Sequence, residues 1–563
     1  MSLQETITLQ ALQNALKFKG KANPKALIGG IVREHPDARS DMVSLTQEID
    51  RIVSEINALS PEEQEQKLLE LDPEHKEKQQ AKKQERKAKA NELPELPNAV
   101  LGKVVTRIPP EPSKYTHLGH AMSFLINYLY AKKYEGRAIL RLDDTNPEKE
   151  SQEFVNVIEN DVLNYLGIEV SETLFASDHM QTYMDYAQKL IDEGNAYTCN
   201  CKDIAEHRRN MTACSHNDQS KETTQQTWKD MLAGKHDEYV LRLKIDMAHK
   251  NAVMRDPVIF RVVNTPHYRQ GTKYHVWPMY DFETAIEEGL CGITHVLRSN
   301  EFDQRIELHN HIASLFGFPE VTYKHYGRYN VTGATTQGRE IREKIESGEY
   351  LGWDDPRLVT LVALKRRGIV KEAYYVLAQQ IGLSKTQTNL DFGVIAAVNR
   401  NLLDEKAKRF FAVRNPIEVT VSDIPEGTDL FSLSYHPHGT KGERKLSVTT
   451  QYYIEQEDHD ACMVGSYLRF MDAMTLKKTG ETSYSFVGFE HDKSLGAKLI
   501  HFVPKDGREI KATVLLPTMK KQELICEPNI AILSADDVIQ FERYAFCRLD
   551  SKENGFEFWF THE

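Results

Sequence analysis

Apolar positions change their spacing along the chain. Leu9, Leu12, Ala15 and Leu16, and later Ile49, Ile52, Val53 and Ile56, recur at helical intervals, which predicts amphipathic helices over residues 1 to about 60. From Val104 onward strands and helices alternate. Ile139, Leu140 and Leu142 read as a buried strand that ends in Asp143 and Asp144. Ala121, Phe124, Leu125, Tyr128 and Leu129 share one face of a helix starting near Thr116, and Phe154, Val157, Ile158, Val162 and Leu166 predict a second helix that covers the sheet. Gly368 to about Leu403 is helical again, with Tyr375, Val376, Ala378, Ile381 and Leu383 at its spacing. After Phe410 the runs P-I-E-V-T-V, K-L-I-H-F-V, A-T-V-L-L-P and F-E-F-W-F, separated by turns, predict an all-β module of sandwich or barrel type.

A gap in this pattern marks a boundary. Glu74 to Ala90 has no large apolar residue and is rich in Lys, Gln and Glu, the composition of a solvated helix or linker. The run E-L-P-E-L-P-N that follows reads as an extended hinge, because the residue before each proline is held out of the helical region.

Composition places limits on the class. The chain has 563 residues, 40% hydrophobic and 27% charged, enough for several packed domains of a soluble protein. No apolar run approaches membrane-span length, and M-S-L-Q-E-T-I lacks the basic and apolar regions of a signal peptide. Seven unevenly spaced cysteines argue for a reducing, cytoplasmic setting rather than a disulfide scaffold. The formal net charge of −12 does not exclude RNA binding, for which a local basic groove suffices.

The chemistry concentrates between Arg107 and Pro147. Pro109, Pro110 and Pro112 forbid a helix, and His117 and His120 then fall in the first turn of the next one, beside unpaired backbone N–H groups that suit phosphate. Gly119 lets a ligand approach that backbone closely. Asp143 and Asp144 lie at the C-terminal end of a strand, the edge where open α/β sheets bind ligands. Nucleotide plus a cationic group is the combination this arrangement suits. Farther on, Cys199, Cys201, Cys214 and His216 form a C-x-C…C-x-H set that predicts a closed, structural zinc site, with His207 a weaker candidate because it pairs with no nearby cysteine.

H-L-G-H at residues 117–120, ten residues after Arg107 and its R-x-P-P-E-P run, resembles the HIGH signature of class I aminoacyl-tRNA synthetases. L-R-L-D-D-T-N-P narrows the resemblance to the glutamyl- and glutaminyl-tRNA synthetases of archaeal and eukaryotic type, from about Val104 to the C-terminus. Pro278 to Phe282, P-M-Y-D-F, resembles the amino-acid pocket of these enzymes, with Tyr280 at the position that contacts the substrate side chain. The I-T-H-x-L-x-S-x-E-F pattern puts Arg298 where the glutaminyl enzymes carry a cysteine. A guanidinium is the natural partner of a glutamate carboxylate and a poor one for a buried neutral amide, so the glutamyl side is favoured.

The resemblance implies a multidomain α/β protein. A Rossmann-like catalytic domain (96–175 and 276–345) would be interrupted by an acceptor-end-binding insert with the zinc site (176–275). A helical N-terminal extension and charged linker (1–95), a helical connecting domain (346–408) and a β-barrel anticodon-binding region (409–563) would complete it. It implies ATP bound with Mg²⁺ by Pro110, Glu111, His117, Gly119 and His120, and glutamate bound by Arg107, Asp143, Tyr280 and Arg298. His117 and His120 would stabilise the transition state for adenylate formation, and the glutamyl group would pass to tRNA(Glu), with tRNA(Gln) open as a second acceptor. A monomer free of membranes is the expected state. One motif departs from the family. The run G-R-Y-N-V-T-G-A-T-T-Q-G-R-E-I stands in the place of the mobile KMSKS loop, with Glu340 near the expected lysine and Arg339 beside it as the candidate replacement cation. The competing readings are a glutaminyl-tRNA synthetase, a glutamyl transferase that does not charge tRNA in the usual way, and a non-catalytic RNA-binding protein that kept the fold.

Overall fold

A computed structural model describes residues 2–18, 20–73, 92–437, 439 and 441–563. The chain divides into two compact units, Met1–Glu92 and Leu93–Glu563. The Glu74–Ala90 charge run falls outside the described residues.

The first unit holds the helices α1 (Leu3–Lys17), α2 (Pro24–Glu34), α3 (Met42–Asn57) and α4 (Pro61–Leu71). Each has a side-chain N-cap. Ser2 and Ser60 form capping boxes with Glu5 and Glu63, while Asn23 and Asp41 cap α2 and α3. Ile49, Ile52, Val53 and Ile56 are buried as expected. In α1 the buried stripe is Ile7, Ala11, Leu12 and Ala15, and Leu9 and Leu16 flank it, because the helix turns a slightly different face inward.

The second unit opens on a docked segment. The run expected as an extended hinge is extended, with Leu93 and Leu96 buried and the backbone N–H of Leu96 donating to the Tyr134 hydroxyl at 2.8 Å. The parallel strands β1 (Val105–Ile108), β2 (Arg137–Leu142) and β3 (Thr173–Phe175) form one sheet in that order, with α5 (Leu118–Lys133) crossing from β1 to β2. The helix Gln152–Glu159 buries Phe154, Val155 and Ile158 and runs on through a widened turn that buries Val162 and Leu166, while Val157 stays half-exposed.

The strands β4 (Ala196–Cys199), β5 (Val240–Leu243), β6 (Val258–Val262) and β7 (Val276–Pro278) then form an antiparallel sheet with its own core around Trp228, Phe260 and Trp277. The helix α6 (Tyr280–Leu290) leads back to the parallel pair β8 (His295–Ser299) and β9 (Thr322–Tyr326). Thr294 tethers that pair to β1, its N–H donating to the Val105 carbonyl at 3.1 Å and its hydroxyl accepting from the Val105 N–H at 2.8 Å. The site residues gather where these two groups of strands meet.

The β-rich C-terminal third contains two seven-stranded sheets, each with a separate core. In one, the edge strands are Arg409–Phe410 and Ala412–Val413, adjacent in the chain, so a single segment closes the sheet on itself. Lys498–Ile500 and Val503–Pro504 close the other in the same way. Closure removes exposed sheet edges. Among the described residues no helix is long and apolar enough to cross a membrane.

The turn from α5 into β2 leaves room only for glycine. A Cβ on Gly136 would run into the Val104 carbonyl oxygen, which already accepts the Arg137 N–H at 2.9 Å. Gly136→Ala is therefore expected to destabilise the second unit by about 1–3 kcal/mol, read as a lower urea midpoint for loss of that unit. An unchanged midpoint contradicts this close packing.

Candidate active site

The phosphate-friendly helix start is built by the two histidines themselves. His117 is the N-cap of α5, and its Nδ1 accepts the Gly119 N–H at 3.1 Å, while His120 Nδ1 accepts the His117 N–H at 3.2 Å. Both Nδ1 atoms are thus acceptors, so in the neutral rings the proton sits on Nε2 and each ring has an N–H left to donate. The rings stack at 3.8 Å between centroids. Burial, with Lys114 nearby, pushes His117 down to about 3, and burial moves His120 well below its ordinary value. The pair therefore offers hydrogen bonds rather than charge.

Behind it lies a buried cluster of ions. Arg107 Nε meets Glu288 Oε1 at 2.7 Å, and Arg141 Nε meets Asp143 Oδ1 at 2.6 Å with Nη2 at 3.8 Å from the same Glu288 oxygen. These four side chains are all buried. Burial alone would raise Glu288, but Arg107 and Arg141 hold it below the usual carboxylate range. Asp143 is raised by burial, an effect that Arg141 opposes. Glu283, one turn earlier on α6, is pushed up by burial and then by Asp143, which favours its neutral form.

The third part surrounds Arg298. Its Nη1 donates to the Tyr280 hydroxyl at 3.1 Å, its Nε to His325 Nε2 at 3.2 Å, and its Nη2 lies 3.4 Å from His309 Nδ1. The far nitrogens of the imidazoles are held in turn, His309 Nε2 by Asp281 at 2.9 Å and His325 Nδ1 by Asp303. Each carboxylate fixes the tautomer that leaves an acceptor facing Arg298. The guanidinium is also packed beside the rings of Phe302 and Tyr323. Among the described residues no carboxylate lies within ion-pair distance of Arg298, although it is only 6% exposed.

Arg107, His120, Asp143, Tyr280 and Arg298 line a single cavity of about 310 Å³, within the range that holds small ligands. Pro110 and Glu111 form part of the same wall. Two expected partners are engaged with the protein itself, Arg107 with Glu288 and Asp143 with Arg141. Arg339 stands apart: it opens the helix α7 (Gly338–Glu346), its side chain is 92% exposed, and it pairs with Glu343 at 2.8 Å. Glu340 accepts a hydrogen bond from Thr335 at 2.7 Å.

Several functional residues escaped the sequence reading. Glu288, Glu283, His309 and His325 belong to no periodic pattern, and only their packing shows what they do. Lys114 lies between the proline run and His117, yet its spacing does not distinguish it from a surface lysine.

The C-x-C…C-x-H residues do converge. The ligand atoms of Cys199, Cys201, Cys214 and His216 all lie within 4.8 Å of one another. Cys199 and Cys214 are 3.9 Å apart at sulfur, close to the roughly 3.8 Å that a tetrahedral zinc imposes on two thiolates. His207 is outside the set, bound to Thr212 at 3.1 Å.

The chain is similar to several known proteins. Residues 103–405 match tRNA synthetases class I (E and Q), catalytic domain, and residues 407–485 and 498–550 match two anticodon-binding domains of the same class. A glutamate--tRNA ligase of Methanococcus maripaludis is 37% identical over 100% of both chains. One from Pyrococcus abyssi is 38% identical over 98% of each. A solved glutamate tRNA ligase from Elizabethkingia meningosepticum, in complex with its amino acid, is 16% identical with a TM-score of 0.38, covering 54% of this chain and 70% of that one. The two archaeal relatives align end to end with this chain, and the catalytic match spans the helix start, the ion cluster and the Arg298 pocket: the chain belongs to the class I tRNA synthetases of the glutamyl and glutaminyl group.

Proposed function

We propose that this chain is a glutamate–tRNA ligase that activates L-glutamate with ATP and transfers it to the 3′ end of tRNA(Glu). Arg298 carries this reading. A buried guanidinium oriented by one hydroxyl and two imidazoles, with no carboxylate among the described residues in ion-pair reach, is complementary to the side-chain carboxylate of glutamate. Glutamine would put a neutral amide against that charge and lose the ion pair.

The other residues take positions around the reacting atoms. Tyr280 flanks the side chain, Asp143 receives the ammonium group, and the edge of Arg107 not engaged by Glu288 receives the α-carboxylate. The Nε2–H groups of His117 and His120 donate to the phosphates of ATP along the wall formed by Pro110 and Glu111, because the helix-start amides of His117 and Gly119 are already taken by the two Nδ1 atoms. Mg²⁺ accompanies the nucleotide. A carboxylate oxygen of glutamate attacks the α-phosphorus, so the step needs positioning and charge stabilisation but no protein nucleophile. The closed sheets of the C-terminal third take the anticodon end of the tRNA, and the insert around β4–β7 takes the acceptor end. Zinc, held by Cys199, Cys201, Cys214 and His216, staples that insert. Four protein ligands leave it no open position for catalysis.

Aminoacylation with labelled glutamate and glutamine, each offered with tRNA(Glu) and tRNA(Gln), tests the activity. Glutamate on tRNA(Glu) is expected; glutamate on both tRNAs makes the enzyme non-discriminating, and glutamine on tRNA(Gln) or no transfer refutes the reading. Arg298→Cys is expected to lower kcat/KM for glutamate by about 10–100-fold, the worth of a charge-assisted hydrogen-bonded pair. Wild-type kinetics in that variant would remove Arg298 from the pocket. Metal analysis of protein purified without chelator should find stoichiometric zinc that disappears in Cys214→Ser, together with a lower thermal midpoint. Metal-free protein with full stability would sink the zinc site.

A further inference from the structure

The altered loop raises a chemical problem. In adenylate formation the bond between the α-phosphorus and the bridging oxygen to the β-phosphate breaks, and its electron pair leaves with pyrophosphate. The attacking carboxylate is already ionised, so no proton moves, and negative charge grows on the leaving group. Neutral imidazole N–H groups can orient that charge but not neutralise it, and a cation beside it has the larger effect.

Among the described residues, four cations of the loop and its flanks are paired with carboxylates. Arg339 is on Glu343 at 2.8 Å, Lys344 is on Glu349 at 3.1 Å, Arg357 is on Asp355 at 2.8 Å, and Arg328 reaches Glu301 at 3.4 Å. Arg342 lies over the ring of Phe154.

Lys114 is placed differently. It lines the same 310 Å³ cavity as His120 and Asp143, three residues before the N-cap of α5. No carboxylate among the described residues lies within ion-pair distance of its ammonium, although it feels the charges of Glu111, which lines the same cavity, and of Arg328. Its stem also supports the altered loop. A Cβ on Gly338, the first residue of α7, would stand 3.2 Å from the Lys114 Cβ, so the loop helix starts on the lysine itself.

We propose that Lys114 is a catalytic residue, the cation that contacts the β- and γ-phosphates of ATP and stabilises departing pyrophosphate in place of the lysine missing from the loop. The position demands a long flexible stem and a compact charge, which lysine has and arginine matches less well. The assignment rests on the ligase reading and adds to it the residue that answers the leaving group.

ATP–pyrophosphate exchange with tRNA(Glu) present tests it in the full-length protein. Lys114→Met is expected to lower the exchange kcat by about a hundredfold while the KM for glutamate stays within about twofold. Lys114→Arg should keep part of the rate. Adding Glu340→Lys to Lys114→Met should return at least about tenfold, because it restores a cation at the start of the same loop helix. Equal thermal midpoints establish that the variants are folded, and Lys114→Gln repeats the test if the Met variant is not. An active wild type with Lys114→Met or Lys114→Gln within about threefold of it overturns the assignment, as does a loss seen with Arg339→Ala and not with Lys114→Met. A wild type that neither exchanges pyrophosphate nor charges tRNA overturns the ligase reading, and the assignment with it.

Discussion

Glu288 is the hinge point of the catalytic architecture. Two arginines from neighbouring parallel strands, Arg107 on β1 and Arg141 on β2, converge on one oxygen of this residue, which α6 carries in from the other side. All three are out of water, and removing one partner from such a buried set costs about 3–5 kcal/mol because the remaining charge is left uncompensated. The cluster fixes the strands and the helix in one relation. From that relation the ends of the strands, and so Asp143 and the floor of the cavity, take their positions.

Arranged on that frame, the site separates orientation from charge. Imidazoles occupy the two places where a hydrogen bond must be aimed, at the start of α5 and around Arg298, and in each case one ring nitrogen is already bonded, by a backbone amide or by a carboxylate. Burial keeps the helix-start pair neutral. Full positive charge is left to the arginines and to Lys114. A site built this way holds its donors in fixed tautomers across the physiological pH range, which is what preorganised stabilisation of a charge-developing step requires.

Much of this was legible in the residues alone, and the exceptions share a cause. His117, His120, Asp143 and the β-rich C-terminal third announced themselves through local spacing, and Arg298 through a motif whose physical meaning is charge complementarity. Glu288, His309 and His325 did not, because their role exists only once separate helices and strands are packed together. The same holds for the Leu93–Leu96 run, whose prolines correctly indicate an extended backbone but say nothing of the hydroxyl of Tyr134 that anchors it. Closure of the C-terminal sheets is a register property, carried by a few residues near Phe411 and Phe502 that have no distinctive composition. In Arg339 the sequence displayed a charge at the right distance along the chain, and the first turn of α7 points that charge outward.

Arg298 also bears on how tightly this protein can fold. A guanidinium buried among aromatic rings and neutral acceptors, with no carboxylate among the described residues at contact, is worse solvated than it would be in the unfolded polypeptide. The native state therefore carries an electrostatic cost at the residue that the proposed function sets against the substrate carboxylate. A neutral side chain of similar shape would give a more robust molecule and a blind one.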